Sequence, residues 1–130
     1  EKGKAEIIEE GKDITIVAIG KMVDRAMKVS EILKEKNIEA EVINARFLKP
    51  IDEKTIVSSI SKTKNVITIE DNSVEGGLGT VVSELIVKNN LQNIKMKKLG
   101  YPDEFVKHAS TGEIEKLYGL DAEAIAKSCI

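Results

Sequence analysis

Ile14-Thr15-Ile16-Val17-Ala18-Ile19-Gly20 decides the fold. Five of its first six residues are apolar and four of those are β-branched, which marks a strand buried on both faces. Continuous runs of this kind belong to parallel sheets covered by helices, where neither face meets water and strict alternation is not required. The run stops at Gly20, and Lys21-Met22-Val23-Asp24 opens a helical pattern. A glycine there lets the chain turn sharply from the carboxyl end of a strand into a helix, which is where open α/β sheets place ligands when they have any.

Working outward, Met22, Ala26, Val29 and Leu33 recur at the spacing of one helix face, with Asn37 as a left-handed stop. Upstream, Ala5 to Glu9 reads as a short charged strand suited to an edge. Downstream, Ala40 to Asn44 is the next strand, and Asp52 after Pro50 is the N-cap of a short helix carrying Ile56, Val57 and Ile60. Asn65 to Glu70 is a third β-rich run. A glycine-rich loop follows, then a helix face of Leu78, Val81, Val82 and Leu85 that ends at Asn89 and Asn90. In the last strand, Ile94 to Leu99, Lys95 and Lys97 alternate with apolar residues and guard an exposed sheet edge. Ser110 with Glu113 forms a capping box, and Asp121 caps a final Ala-rich helix. Repeated strand-helix units imply a largely parallel sheet with helices on both faces, a three-layer α/β architecture. Pattern alone does not say which strands are neighbours; Ile14 to Ile19 and Val66 to Ile69, the most continuous apolar runs, are the candidates for its centre.

Composition sets further bounds. A chain of 130 residues, 42% hydrophobic, is one domain able to bury roughly two thirds of its unfolded surface. It has no Trp, two Tyr and two Phe, so the core is aliphatic and no aromatic platform exists for stacking bases. A net charge of -2, with both signs interspersed, leaves no electrostatic footprint for nucleic acid or an anionic membrane. The lone Cys129 excludes a disulfide framework and fits a reduced, cytoplasmic setting. No run approaches the ~20 apolar residues of a membrane span. The chain opens at Glu1 and is expected to be part of a longer protein.

Candidate chemistry is sparse. The loop holding Gly76, Gly77 and Gly79 precedes a helix and could present backbone N–H groups to a phosphate. It has neither the ending of a P-loop nor the spacing of a dinucleotide fingerprint, and tight turning with close helix packing is the commoner use of such glycines. Glu70 and Asp71 end a central strand and could bind a cation or act as acid and base. Neighbouring strand residues point to opposite faces, which favours capping, bridging and solvating the strand end. His108, the single histidine, has no visible orienting acid, and neither Ser58-Ser59 nor Cys129 has a base partner. Arg46 and Lys49 follow the strand of Val42 and could meet a phosphate or a partner chain, though isolated cations are usually ordinary surface charges. The switch-point or anion candidates are therefore Gly20, Glu70, Gly76, Gly77 and Gly79, with no catalytic, cofactor-binding or metal residue assigned.

Five segments in order then resemble the C-terminal domain of transketolase-family enzymes. They are Gly20-Lys21-Met22-Val23, Asn44-Ala45-Arg46-Phe47-Leu48-Lys49-Pro50-Ile51-Asp52, Glu70-Asp71-Asn72 with Gly76-Gly77-Leu78-Gly79, Gly100-Tyr101-Pro102-Asp103-Glu104-Phe105, and Tyr118-Gly119-Leu120-Asp121-Ala122. Within that family the chain is similar to the 1-deoxy-D-xylulose-5-phosphate synthases more than to ordinary transketolases or 2-oxoacid dehydrogenase beta subunits. The resemblance implies a five-stranded mixed sheet in the order 1-3-2-4-5 with strand 1 antiparallel. It implies a parent enzyme that uses thiamin diphosphate and Mg2+ to join a two-carbon unit of pyruvate to glyceraldehyde 3-phosphate, for isoprenoid, thiamin and pyridoxal synthesis. The family's Gly-Asp-Gly motif is absent here, so no catalytic or cofactor residue carries over. What the resemblance leaves to this domain is docking on a preceding pyrimidine-binding domain and a share of the homodimer, with no turnover of its own. Two other readings stay open: the C-terminal section of a transketolase, and a stand-alone module binding a small anion at Gly20 and the Gly76 to Gly79 loop.

Overall fold

In the computed structural model, residues 3–48, 50–70, 77–100 and 126 are described. Lys49, Asp71, Asn72, Gly76, Tyr101 to Phe105, His108, the capping box at Ser110, Tyr118 to Ala122 and Cys129 lie outside them. Eight elements follow one another: β1 (Glu6–Glu9), β2 (Ile14–Ala18), α1 (Met22–Glu35), β3 (Ala40–Asn44), α2 (Glu53–Thr63), β4 (Asn65–Glu70), α3 (Leu78–Lys88) and β5 (Lys95–Gly100). The strands form one sheet in the order β1-β3-β2-β4-β5. Strand β1 is antiparallel to β3, and all other pairs are parallel.

Strand β2 is the centre, with every side chain buried. Ile14, Ile16 and Ala18 pack under Met22, Ala26, Val29 and Leu33 of α1, on the face that Ala126 also covers. Val17 faces the other way, into a cluster with Ile56 and Ile60 of α2 and Leu78, Val82 and Leu85 of α3. Two covered faces are the reason the run is continuous rather than alternating. Both edges are poor templates for further pairing. In β1 the register shifts between Ile7 and Glu9, and β5 exposes Lys95, Lys97 and Lys98. No helix among the described residues is long and apolar enough to cross a membrane.

Helix ends follow local chemistry. Asn37 has φ +64, and the Ile38 amide donates to the Leu33 carbonyl at 3.0 Å, closing α1 with a left-handed residue. Asp52 caps α2: its Oδ1 accepts from the Thr55 amide at 3.2 Å and its Oδ2 from the Thr55 hydroxyl at 2.7 Å. The same carboxylate accepts from the Ala5 amide at 2.9 Å, so one side chain starts a helix and anchors the chain entering β1.

Sequence patterning gave no sign of the polar interior between α2 and the sheet. Thr15 shares hydrogen bonds of 2.7 Å with both Ser59 and Thr63. Buried Glu41 accepts from Lys62 Nζ at 2.5 Å and from the Gly11 amide at 3.2 Å. Burial pushes the Glu41 carboxyl up, but Lys62, Ser59 and Gly11 more than offset it and hold it below the ordinary value. At Asp52, burial likewise opposes the bonds from Ala5 and Thr55 and the charge of Lys4, and again the net direction is down.

A carboxylate depressed in the folded state binds fewer protons there than when unfolded. It adds stability above its unfolded pKa, and that stability is lost as pH falls through the folded one. The urea midpoint is therefore expected to stay level from neutral pH to about pH 5. It should then fall as pH drops through the ordinary values of 4.5 for Glu41 and 3.8 for Asp52. Midpoints measured against pH for a Glu41→Gln, Asp52→Asn double variant should show a shallower acid limb. An unchanged limb would assign the pH dependence elsewhere.

Candidate functional site

The chain crosses α1 over one face of the sheet and α3 over the other, so a switch point opens between the carboxyl ends of β2 and β4. Gly20 stands at the first of these ends with φ +65, a conformation glycine adopts without strain. It leads directly into α1, where the Val23 amide donates to the Gly20 carbonyl at 3.3 Å. Glu70 closes β4 and is buried, 2% exposed. Its Oε2 accepts from the Gly79 amide in the first turn of α3 at 3.0 Å. The carboxylate therefore caps and bridges, as expected of a strand end, but it is not solvated. The sequence reading missed this because Glu70 lies on the face that α3 covers, and only the return of α3 over that face removes it from water.

Glycine is needed around this carboxylate for space. A Cβ on Gly77 would lie 2.8 Å from Glu70 Cδ, and one on Gly79 would lie 2.6 Å from Lys98 Cδ. Gly77 has φ -103, so it is close packing rather than turning that requires the missing side chain. Arg46, in the loop after β3, is exposed at the same edge, where the Ala45 amide extends the ladder to the Ala18 carbonyl at 2.9 Å. The structure thus places Gly20, Glu70, Gly77 and Gly79 at one end of the sheet.

This arrangement supplies an acceptor from within. The N-terminus of a helix attracts anions through its free amides and dipole, and in α3 the Gly79 amide is already taken by Glu70 Oε2. A phosphate arriving there would compete with the Glu70 side chain for that amide. Among the described residues, no three of His, Cys, Asp and Glu gather in a way that could hold a metal ion. Two buried oxygens on the α3 side of β4, Glu70 Oε1 and Thr68 Oγ1, have no hydrogen-bond partner among the described residues. A cavity of about 360 Å³ lies at the other end of the sheet, lined by Glu9, Glu10, Ser30, Lys34 and Glu39 among others. There Ser30 donates to Glu9.

Residues 3–125 match the family described as the transketolase C-terminal domain. The chain is 42% identical over 128 residues to the 1-deoxy-D-xylulose-5-phosphate synthase of Halothermothrix orenii, an alignment covering 98% of this chain and 20% of that protein. With the synthase of Clostridium tetani it is 45% identical over 127 residues, at the same coverage. A Methanocaldococcus jannaschii protein described as a transketolase C-terminal section is 44% identical over 128 residues, 39% of its length. Among solved structures, a split-gene transketolase titled an inactive beta4 tetramer superposes with a TM-score of 0.85 at 36% identity, covering 99% of this chain and 42% of that one. The chain spans about one fifth of the length of the synthases it matches. With the family matched from end to end and the five-stranded sheet in the expected order, this chain belongs to the transketolase C-terminal domain family.

Proposed function

We propose that this chain is the C-terminal domain of a thiamin-diphosphate- and Mg2+-dependent 1-deoxy-D-xylulose-5-phosphate synthase of the cytoplasm. Within that enzyme it serves docking on the pyrimidine-binding domain and assembly of the homodimer. The parent condenses pyruvate with glyceraldehyde 3-phosphate, releasing carbon dioxide, and its product feeds isoprenoid, thiamin and pyridoxal synthesis. Similarity to synthases along 98% of the chain supports the choice of parent. The observation that supports the structural role is the buried Glu70 side chain, whose Oε2 accepts from the Gly79 amide and so takes up a free amide at the start of α3 from within the domain.

Turnover tests the proposal. The full-length protein with thiamin diphosphate and Mg2+ should release carbon dioxide from pyruvate only when glyceraldehyde 3-phosphate is present, and residues 1–130 alone should form no product. Condensation by residues 1–130 would refute the structural role. A parent that transfers ketol units between sugar phosphates and ignores pyruvate would make it a transketolase, the second reading, which the M. jannaschii relative and the split-gene structure favour. Saturable binding of inorganic phosphate by this chain, abolished in Gly77→Asp, would revive the anion-binding module.

A further inference from the structure

Five residues other than glycine have positive φ among those described: Asn37, Arg46, Lys64, Asn90 and Asn93. Three are asparagines, the side chain that tolerates this region best after glycine, and Lys64 ends α2 as a left-handed cap. Arg46 has neither excuse. Its φ is +63, and the Phe47 amide donates to the Ala45 carbonyl at 2.6 Å across it, which makes a γ-turn of the rare, strained hand. The surroundings enforce the turn. Ala45 is buried and tied to Ala18, and the Arg46 amide donates to Asn44 Oδ1 at 3.0 Å. The guanidinium carbon lies 5.4 Å from the centre of the Phe47 ring, a cation–π distance, and among the described residues it meets no carboxylate.

The turn holds a planar cation on an aromatic plate at the carboxyl edge of the sheet, and backbone strain is maintained to keep it there. Strain of this kind persists where surrounding structure over-determines it, and it clusters at functional contacts. A guanidinium matches a carboxylate through two parallel hydrogen bonds, and stacking on an aromatic face fixes its plane in advance. The synthases this chain resembles are about five times its length, so most of such an enzyme lies outside the domain. We propose that Arg46 and Phe47 form a docking plate for an Asp or Glu side chain of the preceding pyrimidine-binding domain. The proposal deepens the docking role above and rests on it. Turnover by the parent tests that role, and the release of this domain tests the plate.

The experiment uses the full-length protein and follows limited proteolysis that frees the C-terminal domain. Arg46→Gly and Arg46→Asn both keep a left-handed backbone and remove the guanidinium. Release should quicken at least about tenfold in each, the scale of losing one partner of an interfacial charge pair. Arg46→Glu, which sets two carboxylates together, should release faster still, and Arg46→Lys should fall between wild type and Arg46→Gly. Glycine relieves the strain at φ +63, so an ordinary surface arginine would leave release unchanged or slower, and that result overturns the proposal. Arg46→Glu no faster than Arg46→Gly also overturns it. So does inorganic phosphate that slows release of wild type but not of Arg46→Gly, since the occupant would then be a free anion. Subunit dissociation without faster release would place a second copy on the plate, with the same consequence.

Discussion

Gly77→Asp is expected to cost about 4 kcal/mol of folding stability, a large share of the 5–15 kcal/mol typical of a domain. Two effects add. The new Cβ falls on the Glu70 carboxyl group, 2.8 Å from Cδ, well inside van der Waals contact. The new carboxylate is then held against the buried Glu70 carboxyl group, whose Oε2 already takes the Gly79 amide. Gly77→Ala carries the first effect alone and should cost about 2 kcal/mol. Urea denaturation of the 130-residue chain measures both. In a Glu70→Ala background the penalty of Gly77→Asp should shrink, because the obstructing group is gone, and a double-mutant cycle reads the coupling directly. Equal penalties in the two backgrounds would show that Glu70 is not what Gly77 accommodates.

Ile16→Ala is expected to cost a similar amount, about 4 kcal/mol. Ile16 has no exposed surface and sits in the central strand opposite Val42 of β3 and Ile67 of β4. The cavity left by its side chain is walled by three strands and by α1, none of which can collapse into it without breaking ladder hydrogen bonds. Val87→Ala is the control. That side chain is 79% exposed on α3 and its loss should change stability by less than about 0.5 kcal/mol. Paired urea midpoints decide the matter, and a cost below about 1 kcal/mol at Ile16 would remove β2 from the centre of the core.

The sequence by itself determined what depends on neighbours a few residues away. Within the continuous run Ile14 to Ile19, Ile14–Ala18 form a strand covered on both faces, with Ile19 just past its end, and Met22, Ala26, Val29 and Leu33 are all buried on one side of α1. Asp52 and Asn37 begin and end helices by bonds made within a single turn or by their own backbone preference. Alternating lysines identified the β5 edge. The strand order was legible only through resemblance to the transketolase family, because periodicity says which face of a strand is buried and nothing about which strand lies beside it. Only the tertiary structure decided the polar contacts. Glu41 meets Lys62 across 21 residues, Thr15 meets Ser59 across 44, and Glu70 leaves water because α3 folds back over its face. The bent turn at Arg46 has the same origin, since its neighbour Ala45 is held by Ala18 of a different strand. Local periodicity encodes burial, whereas a carboxylate's partner is set by where the crossovers return the chain.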